Sequence, residues 1–291
     1  MTTGDPEDPL APGKHTITID GVRQAYQVAG QGPICFVHPG GPGIHVEYLR
    51  IPRLEQFLTL VYLEPVGTGD SDLLADGDYA VSRYVYFANQ LVARLGLDTV
   101  LFLGHSHGGF VGLQFALEHP ESLAGLIAYD TAPTSGPDLN TETARNVELF
   151  AERWVGHPGL ADVLAAWQEP AATDLESAIT RLRRLLPLYF RDFWSEEQEL
   201  QPWLATVDRS YDPARKPDRW DVRGSLDTIG TPTLIIVGAY DFICGTRWAH
   251  EMADAIPNSK LVVFADSGHF GHIEEPATFT ESIRDFLASL R

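Results

Sequence analysis

The sequence predicts an α/β protein with a mostly parallel central sheet, helices on both faces and an inserted helical cap. Three observations predict this fold. Apolar runs typical of strands buried on both faces recur along the first half of the chain. Helical patterns separate several of these runs, and a purely helical pattern later interrupts them over about residues 134–220. A chain of 291 residues is long enough for one such domain with a sizeable core.

The first elements are an antiparallel hairpin followed by parallel strands. HTITID and VRQAYQVAG alternate polar and apolar residues around Asp20-Gly21, which is a strong hairpin signal. Helical patterns are expected at 81–95 and 109–119. Right-handed crossovers place the carboxyl ends of parallel strands at one edge of the sheet, where we expect the chemistry. The next four strands are predicted at ICFVH, LTLVYLEP, VLFLGH and LAGLIAYD.

The helical cap is predicted at residues 134–220, after the sixth strand, so that 1–133 and 221–291 form the core. Its helical patterns lie at 161–168, 175–188 and 193–204. The sheet then resumes with TPTLIIVG and KLVVFAD, which a helix at 248–256 separates, and a last helix spans 276–290.

Charge and cysteine content restrict the partners. The 21 Lys+Arg and 40 Asp+Glu give a net charge of -19, which repels nucleic acids and anionic membrane surfaces. Cys35 and Cys244 do not have metal-ligand spacing, so we expect no metal site, and the reaction expected for this chain needs no cofactor. The first residues lack the basic start and apolar run of a secretory signal, and no stretch has the length of a membrane span. We therefore expect a cytoplasmic monomer or homodimer with a small-molecule substrate.

The nucleophile is predicted to be Ser106. Gly104-His105-Ser106-His107-Gly108 fits G-x-S-x-G and lies between an apolar strand and a helix, as this motif requires. The glycines leave room for a sharp strand-to-helix turn that projects the serine hydroxyl. We expect the side chains of His105 and His107 to point away and to pack locally.

A serine hydroxyl needs a base, and a histidine base needs an acid that orients it. His269 directly follows the strand KLVVFA and is the predicted base. Asp241 ends the strand TLIIVG and precedes His269, so it is the predicted acid. Asp130 also ends a strand and is the alternative acid. His272 is expected to be a surface or packing residue at the start of the final helical region.

An oxyanion hole is predicted from two backbone N–H groups, those of Gly41 and His107. Gly41 belongs to the segment HPGGPG, residues 38–43, which follows the strand ICFV. Glycines allow a close approach of the backbone, and prolines stiffen the loop.

These motifs together resemble the α/β-hydrolase superfamily over nearly the whole chain, and within it the proline iminopeptidase-like branch. The motifs that carry the resemblance are GGPG at 40–43, GTGDS at 67–71, GHSHGG at 104–109, GAYD at 238–241 and SGH at 267–269. The resemblance implies the hydrolase fold and a Ser106, Asp241 and His269 triad.

The branch pattern is not complete. Aminopeptidases of this branch bind the substrate's amine with carboxylates, often beside the triad aspartate, where this chain has Ala239 and Phe242. The usual DQRG is Glu64-Pro65-Val66-Gly67 here. Cap glutamates that could serve instead are Glu169, Glu196, Glu197 and Glu199.

The favoured function is therefore a serine hydrolase that cleaves an ester, lactone or amide of an apolar small molecule through an acyl-enzyme. Aromatic residues of the cap indicate an apolar pocket roof or cap core packing. Phe242, Trp194 and Tyr189 are the predicted substrate-binding residues. A proline-releasing aminopeptidase is the close alternative, and a non-catalytic binding protein on the same fold is the alternative of another class. Carbon–carbon bond cleavage and acyl transfer would use the same triad.

Overall fold

A computed structural model describes residues 8–290, which contain an eight-stranded sheet. The strand order is β1-β2-β4-β3-β5-β6-β7-β8. β1 pairs with β2 and β2 with β4 in antiparallel fashion, and every other pairing is parallel. The predicted mostly parallel sheet with an antiparallel N-terminal hairpin is confirmed. The strands are β1 (Gly13–Ile19), β2 (Val22–Gly30), β3 (Ile34–His38), β4 (Thr59–Glu64), β5 (Val100–His105), β6 (Leu123–Tyr129), β7 (Thr233–Gly238) and β8 (Ser259–Phe264).

Helices cover the sheet and form the insertion between β6 and β7. The α-helices of the described residues are α1 (Val81–Arg94), α2 (His107–Glu118), α3 (Pro137–Arg153), α4 (Leu160–Gln168), α5 (Leu175–Leu185), α6 (Phe193–Leu204), α7 (Thr246–Ala255), α8 (Gly271–Glu274) and α9 (Pro276–Ser289). The helix expected at 175–188 ends earlier as an α-helix and continues as a 3-10 turn at Leu186–Tyr189. Pro187 has no N–H to continue the α-helical hydrogen bonds, which accounts for the change. Shorter 3-10 turns occupy Val46–Leu49, Pro120–Ser122 and Arg223–Thr228.

The sheet separates two hydrophobic layers. In β6, Leu126 packs into one layer and Ile127 into the other, and both side chains are fully buried. Successive residues of a strand point to opposite faces, so a strand covered on both faces needs a continuous apolar run. This explains why the sequence of the central strands lacks the polar alternation of the hairpin.

The two ends of segment 134–220 meet beside the sheet. Thr134 and Asp221 form an isolated antiparallel bridge. The N–H of Ser135 donates to the carbonyl of Trp220 at 2.8 Å, and the N–H of Val222 donates to Pro133 at 3.0 Å. The chain therefore leaves and re-enters the sheet region at one point, which suits an inserted cap, although the boundaries at 133 and 220 stay a prediction. Among residues 8–290, no helix combines the length and apolarity that a membrane crossing requires.

Candidate active site

Ser106 lies in a strained backbone turn between β5 and α2. Its φ of 54° and ψ of -119° are unusual for a residue with a side chain. The turn is held by hydrogen bonds, since the N–H of Ser106 donates to the carbonyl of Tyr129 at 2.9 Å. The Ser106 carbonyl accepts from the N–H of Gly109 and the hydroxyl of Thr131, both at 2.8 Å. Such a turn projects a serine side chain at the carboxyl edge of the sheet.

The glycines around Ser106 are required by close backbone contacts. A Cβ at Gly104 would lie 2.2 Å from the carbonyl oxygen of Gly108, and a Cβ at Gly108 would lie 2.2 Å from that of His38. Both distances are far below van der Waals contact, so neither position accepts a larger residue without a backbone shift. The G-x-S-x-G pattern is thus explained by packing.

His269 and Asp241 form a buried pair. Nδ1 of His269 lies 2.8 Å from Oδ2 of Asp241, and both side chains are almost completely buried. The other oxygen of Asp241 accepts the N–H groups of Ile243 at 2.9 Å and Cys244 at 3.0 Å. Because the carboxylate is fixed by these bonds, it holds the imidazole with Nδ1 protonated and leaves Nε2 as the proton acceptor.

Ser106 and His269 line the same cavity, which has a volume of about 270 Å³. Their side chains are not hydrogen-bonded to each other, and the buried Cys244 lies beside Ser106. Hydrogen bonds between nucleophile and base are often long without substrate and shorten in the reacting complex. The structure therefore brings the three predicted residues to one place, and their roles stay predictions.

Asp130 lies next to this pair without contacting the histidine by a hydrogen bond. Its Oδ1 accepts the N–H of Gly238 at 2.8 Å, whereas the buried Oδ2 has no partner among the described residues. Burial raises the pKa of Asp130 well above its ordinary value, and the nearby Asp241 carboxylate raises it further. His269 is hydrogen-bonded to Asp241 and not to Asp130, so the geometry favours Asp241 over Asp130 as the acid.

The loop after β3 reaches the cavity with Gly40 and Gly41. The N–H of Gly40 is already used, because it donates to the hydroxyl of Tyr48 at 2.7 Å. Gly41 has a φ of 124°, and a Cβ there would lie 2.9 Å from the nitrogens of Gly43 and Ile44. His107 is the first residue of α2, where an N–H has no partner within the helix. The N–H groups of Gly41 and His107 thus remain the predicted oxyanion donors.

The side chain of His105 connects two catalytic loops, which the sequence did not indicate. Its Nδ1 accepts from the hydroxyl of Tyr48 at 2.6 Å, and its Nε2 lies 2.9 Å from the carbonyl of His269. Since Tyr48 also accepts from Gly40, these bonds tie the predicted oxyanion loop to the histidine loop. Burial keeps the pKa of His105 well below its ordinary value, so the ring is neutral. Tyr48 lies 57 positions from His105 along the chain, and no motif relates them.

The side chains of His107 and His272 both pack against aromatic residues. His107 lies edge-on to Tyr84 with ring centres 5.2 Å apart, and burial lowers the pKa of His107 to about 3. His272 is also buried, with Nδ1 2.9 Å from the hydroxyl of Tyr129 and Nε2 3.0 Å from the carbonyl of Tyr48. Of the two expectations for His272, surface or packing, the structure shows packing.

One cluster has the composition of a metal site. Ligand atoms of His105, Asp130 and His269 lie within 4.8 Å of one another. Both ring nitrogens of His105 are hydrogen-bonded, and Nδ1 of His269 is bonded to Asp241. His105 therefore has no free nitrogen for a metal ion, so the cluster is better explained as packed side chains of the candidate site.

The cavity wall opposite the sheet edge is largely apolar. Tyr189 is part of it, and its ring centre lies 5.5 Å from that of His269. The residues of the described chain that line the cavity are Gly40, Gly41, Pro42, Ile44, Tyr48, His105, Ser106, Leu182, Leu186, Tyr189, Val207, Arg209, Arg215, Ile243, His269 and Phe270.

Two of the three predicted substrate-binding residues are not in this lining. Phe242 packs edge-on behind Tyr189, with ring centres 4.9 Å apart. Trp194 stacks on His157 at 3.8 Å and packs against Trp154 at 5.0 Å. Phe242 belongs to a small hydrophobic cluster that is otherwise formed by buried cap residues, and Trp194 packs against this cluster. Aromatic composition alone cannot distinguish such a core from a pocket roof.

The cap glutamates do not reach the cavity. Glu169 forms an ion pair with Arg184, and Glu196, Glu197 and Glu199 are exposed on α6. No Asp or Glu among the described residues lines the cavity, whereas Arg209 and Arg215 do. The amine-binding carboxylates of the aminopeptidase pattern are thus missing from this wall.

Residues 33–276 match the alpha/beta hydrolase fold family, and the chain belongs to this family. A proline iminopeptidase of Saccharolobus solfataricus is 26% identical over 280 residues, covering 90% of this chain and 87% of the relative. Among solved structures, the esterase RhEst1 from Rhodococcus sp. ECU1013 has a TM-score of 0.75 and 17% identity, covering 95% of this chain and 98% of the esterase. An enol-lactonase from Burkholderia xenovorans LB400 has a TM-score of 0.71 and 18% identity, covering 94% and 100% of the two chains. The similarity to these structures shows the fold, and the family supports a hydrolase.

Proposed function

We propose that this protein is a serine hydrolase that cleaves an ester, lactone or amide of a small molecule through an acyl-enzyme. One observation carries the proposal: Ser106, on its strained turn, faces the same cavity as a histidine that a buried aspartate orients. A nucleophile, a base and an orienting acid in this arrangement perform acyl transfer on several unrelated folds.

The proposed reaction has two halves. Oγ of Ser106 attacks the substrate carbonyl while Nε2 of His269 takes its proton, and the tetrahedral oxyanion is held by the N–H groups of Gly41 and His107. His269 then gives the proton to the departing alcohol or amine, which leaves the acyl group on Ser106. A water molecule, deprotonated by His269, attacks the acyl-enzyme and releases the acid.

The cavity favours a small acyl compound with an apolar body. A volume of about 270 Å³ is near the lower end of the range for ligand pockets. Its cap side contributes aliphatic side chains, which bind hydrocarbon by excluding water. These residues are Leu182, Leu186 and Val207.

The aminopeptidase alternative is disfavoured by charge. A free α-amine needs a carboxylate partner, and the lining of this cavity supplies guanidinium groups instead. The binding-protein alternative gives no reason for a serine in a strained turn beside a His269–Asp241 pair.

The test compares wild type, Ser106→Ala and the matched control Ser82→Ala, whose serine is exposed on α1. The substrates are aryl esters and the aryl amides of proline and alanine. We expect ester turnover that Ser106→Ala lowers by about 10³-fold or more and that Ser82→Ala leaves unchanged. Equal turnover by Ser106→Ala and wild type would exclude Ser106 as the nucleophile, and preferential cleavage of the proline amide would favour the aminopeptidase.

A further inference from the structure

Two arginine side chains face the cavity that contains Ser106. Arg209 and Arg215 line it, and no acidic side chain of residues 8–290 does so. The chain as a whole has 40 Asp+Glu against 21 Lys+Arg, so a cavity with only cationic groups is the reverse of the overall charge. This reversal indicates a ligand that carries negative charge.

Arg209 is held in place by the predicted oxyanion loop. Its backbone forms a bridge with Ile44, and the neighbouring residues complete the contact. The N–H of His45 donates to the carbonyl of Asp208 at 2.9 Å, and the N–H of Ser210 donates to Gly43 at 2.8 Å. These contacts fix the backbone of Arg209 beside the predicted oxyanion loop, and Arg209 lines the cavity together with Gly41 and Ile44.

The Nε–H donor of Arg209 is not used by any residue that the structure describes. Its Nε is buried and has no hydrogen-bond partner among the described residues. Burial lowers the pKa of Arg209 below its ordinary value. The nearby charges of Arg215 and Arg181 lower the pKa further, whereas Tyr189 raises it. Arginine remains charged under such conditions, so the site retains an unsatisfied buried donor that an incoming anion would satisfy.

Arg215 is positioned by aromatic contacts. Its Nη1 donates to the hydroxyl of Tyr84 at 2.7 Å, and its guanidinium lies 3.8 Å from the ring centre of Tyr79. Two acidic residues of the same segment have other partners: the hydroxyl of Tyr79 donates to Asp212 at 2.6 Å, and Asp208 lies 3.9 Å from His45. In the part of the chain that the structure describes, neither Arg209 nor Arg215 forms an ion pair.

A second cavity continues the positive wall. It has a volume of about 340 Å³ and shares Leu182, Tyr189 and Arg209 with the first. Arg181 lines it as well, and its guanidinium is held by the carbonyl of Ala166 at 3.0 Å. A ligand with an anionic end would thus meet positive charge on both sides of Arg209.

We propose that Arg209 and Arg215 bind a carboxylate of the substrate, so that the acyl compound cleaved at Ser106 carries an acid group at its other end. A half-ester of a dicarboxylic acid is the simplest member of this class. A guanidinium presents paired N–H donors that match the two oxygens of a carboxylate, and the apolar wall suits a hydrocarbon chain between the two ends. The cleavage step rests on the function proposed above, whereas the binding step does not.

Turnover is tested with three methyl esters of similar length, followed by proton release at constant pH. They are monomethyl adipate, methyl hexanoate and methyl 6-aminohexanoate, which end in an anionic, a neutral and a cationic group. We expect kcat/KM to be greatest for the adipate and smallest for the amine. Wild type should prefer monomethyl adipate over methyl hexanoate, as measured by the ratio of their kcat/KM values. Arg209→Gln and Arg215→Gln should each reduce this ratio by roughly 10- to 100-fold, chiefly by raising KM for monomethyl adipate.

The control variants separate charge from structure. Arg209→Lys should restore part of the ratio because it retains the charge but not the paired donors. Arg53→Gln removes a charge from an exposed surface position and should leave the ratio unchanged. A ratio that is the same in Arg209→Gln and wild type, or a preference for the neutral ester in wild type, would overturn the proposal.

Binding is measured separately by calorimetric titration of the Ser106→Ala protein with monomethyl adipate and with methyl hexanoate, of which only the adipate carries a carboxylate. We expect monomethyl adipate to bind more tightly than methyl hexanoate. This difference in affinity should be lost when Arg209→Gln is combined with Ser106→Ala. Ester turnover without selective adipate binding would overturn the carboxylate site and leave the hydrolase function standing. Adipate binding without turnover of any ester would support the carboxylate site and count against the hydrolase function.

Discussion

The two sides of the cavity are built differently. On the sheet edge, Ser106, Asp241 and His269 are fixed by backbone hydrogen bonds and close glycine contacts, so their positions follow from the ends of β5, β7 and β8. The cap side consists of side chains from α5, from the 3-10 turn at Leu186–Tyr189 and from the loop after α6. We infer that the edge determines the reaction and the cap determines which compound undergoes it. Variants of the edge should change kcat for every substrate, whereas variants of the cap should change the preference between substrates.

The largest effect is expected from Asp241→Asn at the sheet edge. The asparagine amide would face Nδ1 of His269 with a donor and favour the wrong tautomer, which should lower kcat by about 10³- to 10⁴-fold. Asp130→Asn retains an oxygen for the N–H of Gly238 and loses no bond to His269, so kcat should fall by less than about tenfold. Measuring kcat of both variants with one ester decides which carboxylate is the triad acid. A larger fall in kcat for Asp130→Asn than for Asp241→Asn would assign that role to Asp130.

The junction of the two sides is tested by Gly268→Ala. A Cβ there would lie 2.3 Å from the carbonyl oxygen of Tyr189 and 2.9 Å from the Cα of Phe190, both of which are backbone atoms. We expect the free energy of unfolding to fall by about 2 to 3 kcal/mol in urea titrations. Gly224→Ala is the control, because a Cβ at that position meets no atom within 4 Å. Equal stabilities of the two variants would mean that the cap and the histidine loop are not tightly packed.

A pH dependence of stability is expected from Glu274, which contacts both sides. Its carboxylate accepts the N–H of Gly268 and that of Arg191, each at 2.7 Å. Burial raises the pKa of Glu274 from 4.5 to about 7, so the folded state holds a proton that the unfolded state releases. The free energy of unfolding should therefore fall by about 1 to 3 kcal/mol as the pH rises from 4.5 to 7. Urea titrations at several pH values should show a flatter profile for Glu274→Gln, and an unchanged profile would mean that another group titrates.

The smallest effect is expected for a change of cavity size in the cap. Leu186 is buried and lines the cavity, so Leu186→Ala should enlarge it and shift the preference toward longer or branched acyl groups by roughly tenfold in kcat/KM. Leu188 is equally buried but packs in the cap core, and Leu188→Ala should lower stability without this shift. An identical change of preference in both variants would indicate a general loosening of the cap.

The same contrast explains what could be predicted from the sequence. The strands and the mostly parallel sheet follow from the apolar runs, and the G-x-S-x-G turn needs glycines for reasons of space alone, so the sheet edge leaves local signals in the sequence. Other contacts join residues that are distant along the chain, such as the bond of Tyr48 to His105 and the stacking of Trp194 on His157. These contacts leave no local signal in the sequence. The Arg209 position depends on a backbone contact with the loop at Gly43–His45, which no pattern in the cap sequence indicates. Apart from Tyr189, the cap residues that line the cavity therefore leave no signal in the sequence.

The central claim, that Ser106 is the acylated nucleophile, is tested most directly by covalent labelling. The purified protein is treated with a fluorophosphonate, which reacts with activated serines, and the labelled peptide is identified by mass spectrometry. We predict one adduct per chain, on Ser106, with loss of ester turnover in proportion to labelling and no adduct in Ser106→Ala. An adduct on another serine, or full turnover by a protein fully labelled at Ser106, would contradict the account.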